Sequence, residues 1–386
     1  MIRPHEPTAR SKEAMDPTLD DAQRAYQESL RQFFQSKWPE SSVRASMEAR
    51  TEEETRVWRQ LAQQLGVAGL TLPEEVGGSG STQIEAMLVL EEMGRALYGG
   101  PYLATVVLAA NALMLSGDGA AGKEYLPAIV AGELTATLAF AGNGRDRSNA
   151  PTPTARRTAG GWVVAGTAHR VIDGASADRI LVEADTDEGR SLFVLESEDG
   201  LVRRQVETMD QTRRLARLEM TDVPARLLCA AGEAAGVLDR VRALACLALA
   251  AEAVGGAARC VQETVAYAKV RHQFGRPIGS FQAVKHRCAE MQVRLETATA
   301  AVRHGARVAV DGSEDLALLA SVVKVHAAES YFRTAADTIQ LFGGIGFTWE
   351  HFAHLHFKRA KATELMFGSP RDHRRAIANT VLAVRG

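Results

Sequence analysis

Cysteine is scarce in this chain of 386 residues. The four present are Cys229, Cys246, Cys260 and Cys288, and no two of them form a Cys-x-x-Cys pair. This spacing provides neither the disulfide framework of a small secreted domain nor the ligand set of a structural zinc site. We therefore expect reduced thiols that are mostly buried, and no metal.

Excess charge of either sign is also missing. Lys and Arg number 45 against 47 Asp and Glu, a formal net charge of -2, and no basic run is interleaved with aromatic residues. Such a surface does not hold a phosphate backbone, which excludes nucleic acid as a partner. The N-terminal stretch has no apolar core, and no apolar run reaches the roughly 20 residues of a membrane span. These absences predict a cytoplasmic protein without membrane contact.

Common nucleotide-binding and hydrolase motifs do not occur where they would be informative. No G-x-G-x-x-G follows a predicted strand, and the chain has no G-x-x-x-x-G-K-[ST]. No serine lies in a G-x-S-x-G turn. A Rossmann cofactor site, a P-loop and a Ser-His-Asp hydrolase are therefore not supported.

What is present is enough apolar material for two or three packed units, with 46% hydrophobic and 24% charged residues. Residues 1–16 are polar and patternless and predict a disordered leader. An N-terminal α-helical domain is predicted at 17–134, starting near Asp16-Pro17-Thr18 and continuing in "LDDAQRAYQESLRQFF". The turn-rich stretch "LPEEVGGSGS" interrupts its helices.

The texture changes to short strand-like runs between residues 135 and 229. These runs are "ATLAFAG", "GWVVAGTAHRVI", "ADRILVEADT", "RSLFVLES" and "RLARLEMTDV", separated by Gly, Asp and Asn turns. They predict a middle β domain. Helical periodicity then returns and fills 230–386, where long helices with short connections indicate a bundle of about four. The predicted fold class is α+β, mainly α.

The first segment with chemical potential is the corner "VRHQFGRPIGSFQAVKHR" between two long predicted helices. Arg271 can make paired, charge-assisted hydrogen bonds to a phosphate, and the helix that begins near Ser280 offers free backbone N–H groups. Phe274 can lie against an aromatic ring, while Gln282 can bind a polar edge. Physics alone equally allows a helix–helix corner capped by an arginine.

The second segment is "TIQLFGGIGFTWEHFAHLHFKRA", whose paired glycines allow a close approach to the backbone. Taken alone, such a pair is usually a helix stop. His351, His354 and His356 suggest a metal only superficially, because His354 and His356 point to different helix faces and no third ligand converges. A solvated or packed helix is favoured.

Together the two segments, about 70 residues apart in a helical region that follows a β domain and a helical domain, resemble the acyl-CoA dehydrogenase family. The resemblance includes "LPEEVGGSG" and "DQTRRLARLEMTDVPA" and covers the chain after the leader. It implies FAD between the β domain and the bundle, with the adenosine-pyrophosphate end held by a neighbouring subunit. The residues that match this contact are Arg271, Gln273, Phe274, Gln282, Gln340, Gly343 and Gly344.

The reacting half of the family's site does not match. The usual carboxylate base, counted from Gly343-Gly344, falls on Phe367, and the base position of a second group of members falls on Ala245. Neither can accept a proton. The Trp and Thr that flank the flavin ring elsewhere correspond to Arg170 and Ile172, and "AFAGNGRDRS" replaces the family's turn at the ring and thioester.

This asymmetry implies a subunit that completes a partner's FAD site while lacking its own base. The resemblance includes bacterial relatives that shorten bulky acyl-CoAs, such as sterol side-chain thioesters, and form such mixed tetramers. It further implies an acyl-CoA substrate, dehydrogenated at its α,β bond, and an electron-transfer flavoprotein or similar acceptor. A homo- or hetero-tetramer with another chain of the family is expected.

Three alternatives stay open. The first is a homotetrameric dehydrogenase with a relocated base, for which Glu252 and Glu364 are candidates, although carboxylates on long helices are usually solvated. The second is a non-redox acyl-CoA binding or scaffold protein that has lost FAD. The third is an oxidase or oxygenase on the same fold, because fold does not fix reaction.

Overall fold

The computed structural model describes residues 19–141 and 152–383, so the predicted leader at 1–16 and the predicted helix start at Asp16-Pro17-Thr18 lie outside the described residues. The first part is helical up to residue 130. Its helices are α1 (Asp21–Lys37), α2 (Glu40–Glu48), α3 (Glu52–Leu65), α4 (Gln83–Arg95), α5 (Leu103–Ser116) and α6 (Gly119–Val130). α5 is π-helical over Leu103–Ala110 and α-helical beyond.

Two of these helices begin with reciprocal side-chain caps. The Asp20 carboxylate accepts from the backbone N–H of Gln23 at 2.8 Å, and the Gln23 side chain accepts from the backbone N–H of Asp20 at 3.2 Å. Thr82 and Glu85 make the same exchange at the start of α4. Each cap satisfies backbone donors that the first turn of a helix leaves free.

The middle of the chain forms a small β barrel. Its strands are β1 (Ala136–Ala139), β2 (Thr154–Thr158), β3 (Gly161–Ile172), β4 (Arg179–Thr186), β5 (Gly189–Leu195), β6 (Leu201–Val206) and β7 (Leu215–Leu227). The order is β1-β4-β2-β3-β7-β5, with β6 on β7, and β5 also pairs with β4, so the sheet closes on itself. β1 and β2 run parallel to β4, and the other pairs are antiparallel.

Two strands of the barrel, β2 and β6, were not expected from the sequence. β2 reads "TARRT" and β6 reads "LVRRQV", and most of their residues are exposed or only partly buried. Each has one face toward water and carries charged side chains there, so neither has the apolar run that marks the buried strands. Their place in the barrel depends on pairing with β3 and β7.

The C-terminal region is a helical bundle. Its elements are α7 (Ala235–Val270), the hairpin β8 (His272–Gln273) and β9 (Arg276–Pro277), α8 (Gln282–Asp311), α9 (Leu316–Phe342), α10 (Ala353–Leu365) and α11 (Pro370–Ala383). Gly256 abuts Tyr331, and farther along Thr264 bonds Thr338, so α7 and α9 run parallel. α8 connects them in the opposite direction.

α7 corrects one expectation about apolar runs. By length and composition it could cross a membrane, but 89% of its most apolar window is buried inside the protein. Helices pack around it on several sides, so apolar residues occupy its whole circumference. It is therefore the central helix of the packed core.

The helical, β and helical order confirms the predicted α+β, mainly α fold with a C-terminal bundle. The Thr105 hydroxyl on α5 exchanges hydrogen bonds with the backbone of Ala136 on β1, at 3.0 and 3.1 Å, and joins the first two parts. We propose that the domain limits lie at about 134 and 229, in the connections that flank the strands.

Candidate functional site

The two motif loops meet at one end of the bundle. Tyr267, one turn before Arg271, stacks on Phe342 with ring centroids 4.3 Å apart and planes 21° apart. Phe342 directly precedes Gly343. The hydroxyls of Thr264 and Thr338 bond at 3.1 Å one turn below. Because α7 and α9 run parallel, loops far apart in sequence lie side by side, and we call residues 271–282 and 340–344 the grip loops.

The predicted contact residues all lie exposed on the grip loops: Arg271, Gln273, Phe274, Gln282, Gln340, Gly343 and Gly344. Phe274 is 91% exposed. Within the described parts of the chain, the polar side chains of this set make no hydrogen bond or ion pair. They are therefore free to bind another molecule.

The backbone of the grip loops is also open. Gly343 has φ 67°, and a Cβ added at Gly343 or Gly344 would meet no heavy atom within 4 Å. α8 begins after Phe281 without a side-chain cap, so its first N–H groups remain available. With Arg271 nearby, these groups suit an anionic, phosphate-bearing ligand.

A second site lies between the barrel and the turn that joins α10 to α11. It is a cavity of about 240 Å³ with a largely apolar lining, which we call the Phe367 cavity; its walls include Leu108, Leu138, Phe140, Ile172, Leu365 and Phe367. The Phe367 and Phe140 rings meet edge to face, with centroids 5.7 Å apart. Arg170 lines the same cavity, so the structure gathers Phe367, Arg170 and Ile172 in one place.

Two residues of the Phe367 cavity have left-handed backbone conformations. Arg170 has φ 57° and Phe367 has φ 56°, which side chains other than glycine seldom adopt. Arg170 lies where the β3–β7 register shifts, a bulge that redirects side chains. Strained residues of this kind cluster at functional sites. Of the predicted turn "AFAGNGRDRS", residues 142–148 lie outside the described residues.

Glu252, a candidate for a relocated base, is held in a buried ion-pair network. Its carboxylate accepts from Arg213 and from Arg359. Arg359 also donates to Asp210 at 3.0 Å and to the Thr212 carbonyl oxygen at 2.8 Å. Burial alone would raise the pKa of Glu252, but the two arginines outweigh it and hold that pKa below its ordinary value. An ionised carboxylate so occupied is poorly placed to take a substrate proton.

The other base positions are no better suited. Ala245 is fully buried in α7. Glu364 pairs with Lys361 at 2.7 Å and is not part of the cavity lining. Asp210 does line the cavity, but its carboxylate is bound by Arg359 and Thr212. Among the residues that the structure describes, the Phe367 cavity therefore offers no unengaged carboxylate.

The grip loops and the Phe367 cavity are far apart. Arg213 donates both to Glu252 on α7 and, at 3.3 Å, to the sulfur of Met366, the residue before Phe367. The turn that carries Phe367 therefore lies beside Glu252. Arg271 follows the end of the same helix, which at about 1.5 Å per residue lies roughly 28 Å further along the axis. One chain therefore presents two separate half-sites.

The histidines are used in packing. His356 bonds Tyr331 at 2.7 Å, His354 bonds the Trp349 carbonyl oxygen at 2.8 Å, and His351 packs on Phe342. Over residues 19–141 and 152–383, no group of three or more His, Cys, Asp or Glu could hold a metal. None of the four cysteines, all of which lie in the described part of the chain, forms a disulfide, and Cys246 and Cys260 are buried.

Sequence reasoning missed the ion-pair network and one buried lysine. Glu252 is the only charged residue between Arg242 and Arg259, and so apolar a stretch signals that its carboxylate needs a partner. Nothing local indicates that Arg213 and Arg359 supply it. Lys324, 1% exposed, donates to the Thr363 carbonyl oxygen at 2.7 Å near the end of α10, which a helical pattern does not reveal.

The chain belongs to the acyl-CoA dehydrogenase family. Residues 20–133 match the family description "Acyl-CoA dehydrogenase, N-terminal domain", and residues 230–382 match "Acyl-CoA dehydrogenase, C-terminal domain". It is thus an acyl-CoA dehydrogenase-type oxidoreductase of the class that acts on CH–CH groups, with FAD as the cofactor of the class.

Similar proteins include a curated relative and two solved structures. "Acyl-CoA dehydrogenase IpdE2" of Mycobacterium tuberculosis is 36% identical over 88% of this chain and 91% of that protein. A solved Tcur3481–Tcur3483 steroid ACAD variant is 30% identical, with a TM-score of 0.85 over 95% of this chain and 99% of the other. The ChsE4–ChsE5 complex from Mycobacterium tuberculosis is 28% identical, with the same TM-score over 95% and 99% of the two chains.

The two half-sites differ in their fit to FAD. The cationic, open grip loops suit its adenosine-pyrophosphate end. The Phe367 cavity, about 240 Å³, is below the roughly 300–1,000 Å³ typical of sites for drug-sized ligands, and Phe367 and Arg170 both line it. The cavity is therefore small for a flavin ring, whereas the grip loops are open.

Proposed function

We propose that this protein is a subunit of a mixed acyl-CoA dehydrogenase oligomer and completes the FAD site of a base-bearing partner chain. The observation that carries the proposal is the division between two ends of α7. Unpaired polar groups face outward at the grip loops, while Phe367, which cannot act as a base, lines the other site about 28 Å away.

The chain's own residues would hold the cofactor rather than react with it. Arg271 and the free N–H groups at the start of α8 would bind phosphate oxygens. Phe274 would cover an aromatic ring, and Gly343-Gly344 would admit the cofactor close to the backbone. When bound, FAD accepts the hydride that leaves the substrate.

The proton must go to another chain. Phe367 and Ala245 cannot accept one, and Glu252 and Glu364 already bind cations. A positioned base contributes roughly 10²–10⁴-fold to such a reaction. The partner would therefore supply the carboxylate, and the relocated-base alternative is disfavoured.

Relatives support this division of labour. The Tcur3481–Tcur3483 steroid ACAD and the ChsE4–ChsE5 complex are each named as pairs of chains. By extension, we propose a tetramer with another family member in the cytoplasm, with an acyl-CoA substrate and an electron-transfer flavoprotein or similar acceptor.

One observation favours a second candidate function, non-redox binding of an acyl group. The Phe367 cavity is apolar inside, and Arg170 and His169 are exposed at its edge. Acyl-CoA binding by the flavin-free chain, measured by calorimetry, tests this candidate directly.

The main experiment compares the isolated chain with the chain co-expressed with a base-bearing acyl-CoA dehydrogenase. Alone, we expect little flavin and turnover lower by roughly 10²–10⁴-fold, measured with several acyl-CoAs and an artificial electron acceptor. The complex should hold about one FAD per two chains, and Arg271→Ala should lower its flavin-to-protein absorbance ratio. Arg375→Ala, an exposed arginine on α11, serves as the control.

Two results would contradict the proposal. The first is an unchanged flavin ratio in the Arg271→Ala complex. The second is robust turnover by the isolated chain with one FAD per chain, abolished by Glu252→Gln or Glu364→Gln without loss of the fold.

A further inference from the structure

A cluster of aromatic rings lies directly beneath the grip loops. Phe342 stacks on Tyr267, with centroids 4.3 Å apart, and contacts His351 at 4.3 Å and Phe352 at 5.8 Å on its other sides. Phe352 in turn meets His356 at 5.7 Å. Phe342 is 8% exposed, so its ring is fixed from several directions.

The Tyr267–Phe342 pair spans the joint between the two grip loops. Tyr267 is one helical turn before Arg271, and Phe342 immediately precedes Gly343. The pair thus lies between the arginine of one loop and the open backbone of the other. At Gly279 the chain that follows the hairpin packs closely against α7, since a Cβ there would lie 2.8 Å from the Ala268 carbonyl oxygen.

The exposed side chains of the grip loops cannot hold this spacing themselves. In the described parts of the chain, His272 bonds the nearby Val270 carbonyl oxygen at 3.0 Å, and the polar side chains of the predicted contact residues make no hydrogen bond or ion pair. Their relative placement therefore depends on the helix ends that carry them. Misplacement by about 1 Å is enough to weaken a site assembled from two loops.

We propose that Tyr267 and Phe342 are positioning residues for the FAD contact: their stacked rings hold the two grip loops at the separation that the adenosine-pyrophosphate end requires. The inference rests on the proposed function. It assigns these rings no contact with the reacting atoms.

The test is the Kd of FAD for the assembled oligomer with its base-bearing partner, stripped of flavin and titrated with FAD while flavin fluorescence is followed. Phe342→Leu and Tyr267→Leu keep apolar volume but remove the stack. We expect each to raise the Kd by about 3- to 10-fold, the scale of one aromatic pair. Tyr267→Phe retains the ring and should keep the Kd of the wild type.

Phe332→Leu provides a matched control. Phe332 lies on the same helix, with its ring 5.0 Å from Phe357, and takes no part in the grip loops. It should lower Tm by an amount similar to Phe342→Leu and leave the Kd unchanged. If Phe342→Leu fails to assemble, Tyr267→Leu and Tyr267→Phe decide the matter.

The outcomes separate this inference from the proposed function. If Arg271→Ala raises the Kd while both leucine variants bind FAD like the wild type, the rings do not position the loops. An equal rise in Phe332→Leu would also overturn the inference, because it would reflect general loss of packing. If Arg271→Ala has no effect, the proposed function fails, and the inference fails with it.

Discussion

Glu252→Gln removes one negative charge from the centre of the bundle while leaving the shape of the side chain almost unchanged. The carboxylate is 4% exposed and accepts from both Arg213 and Arg359. In the variant, Arg359 still has the Asp210 carboxylate as a partner at 3.0 Å. Arg213 retains only the amide oxygen and the Met366 sulfur.

Removing one partner of a buried ion pair costs about 3–5 kcal/mol, because an uncompensated charge remains. The glutamine keeps one acceptor, so we expect a loss near the lower end, about 3 kcal/mol. At roughly 2–4 °C per kcal/mol for larger domains, Tm should fall by about 6–12 °C. The assay is differential scanning calorimetry of matched samples at pH 7.

The pH profile gives the sign of the effect. The pKa of Glu252 is held below its ordinary value of 4.5, so its stabilising contribution is present above that pH and is lost as pH falls through the lower folded pKa. Glu252→Gln should lack this component of acid destabilisation. The matched control is Glu263→Gln, whose partly exposed pair with Arg259 should contribute under about 1 kcal/mol.

A Tm within 1 °C or so of the wild type would refute this reasoning. If activity were lost at the same time, Glu252 would be acting as a base. A destabilised variant that still assembles with its partner and retains the turnover of the complex would instead establish a structural role.

Two further predictions concern the end of α10. Burial lowers the pKa of Lys324 to about 8, below its ordinary 10.5, so the folded protein loses this proton first and the free energy of unfolding should rise between those pH values. Relative to Lys324→Met, the gain should reach at most about 3 kcal/mol in urea unfolding at pH 7.5, 9 and 10.5; parallel profiles would contradict it. Phe367→Glu should not restore turnover to the isolated chain, because Arg170 and Ile172 still line the cavity; turnover equal to that of the complex would show that the missing base is the sole defect.

The order of segments was predictable from the sequence. Helical periodicity and strand alternation depend on neighbours a few residues apart, and they predicted the helical, β and helical order without any tertiary information. The residue types at the base positions were equally local, since Phe367 and Ala245 cannot titrate in any fold. The sequence did not predict β2 and β6, because these strands are mostly exposed and have no apolar run.

The arrangement of the sites was decided by tertiary contacts. No local pattern indicates that Arg213 from the barrel and Arg359 from α10 both reach Glu252, since each is more than 35 residues away. The union of Phe367 with Phe140 and Arg170, and the stacking of Tyr267 on Phe342, depend on the packing of separate units. The sequence thus determined which chemical groups the protein possesses, and long-range packing alone decided which groups meet, because contact energies depend on distance in space rather than along the chain.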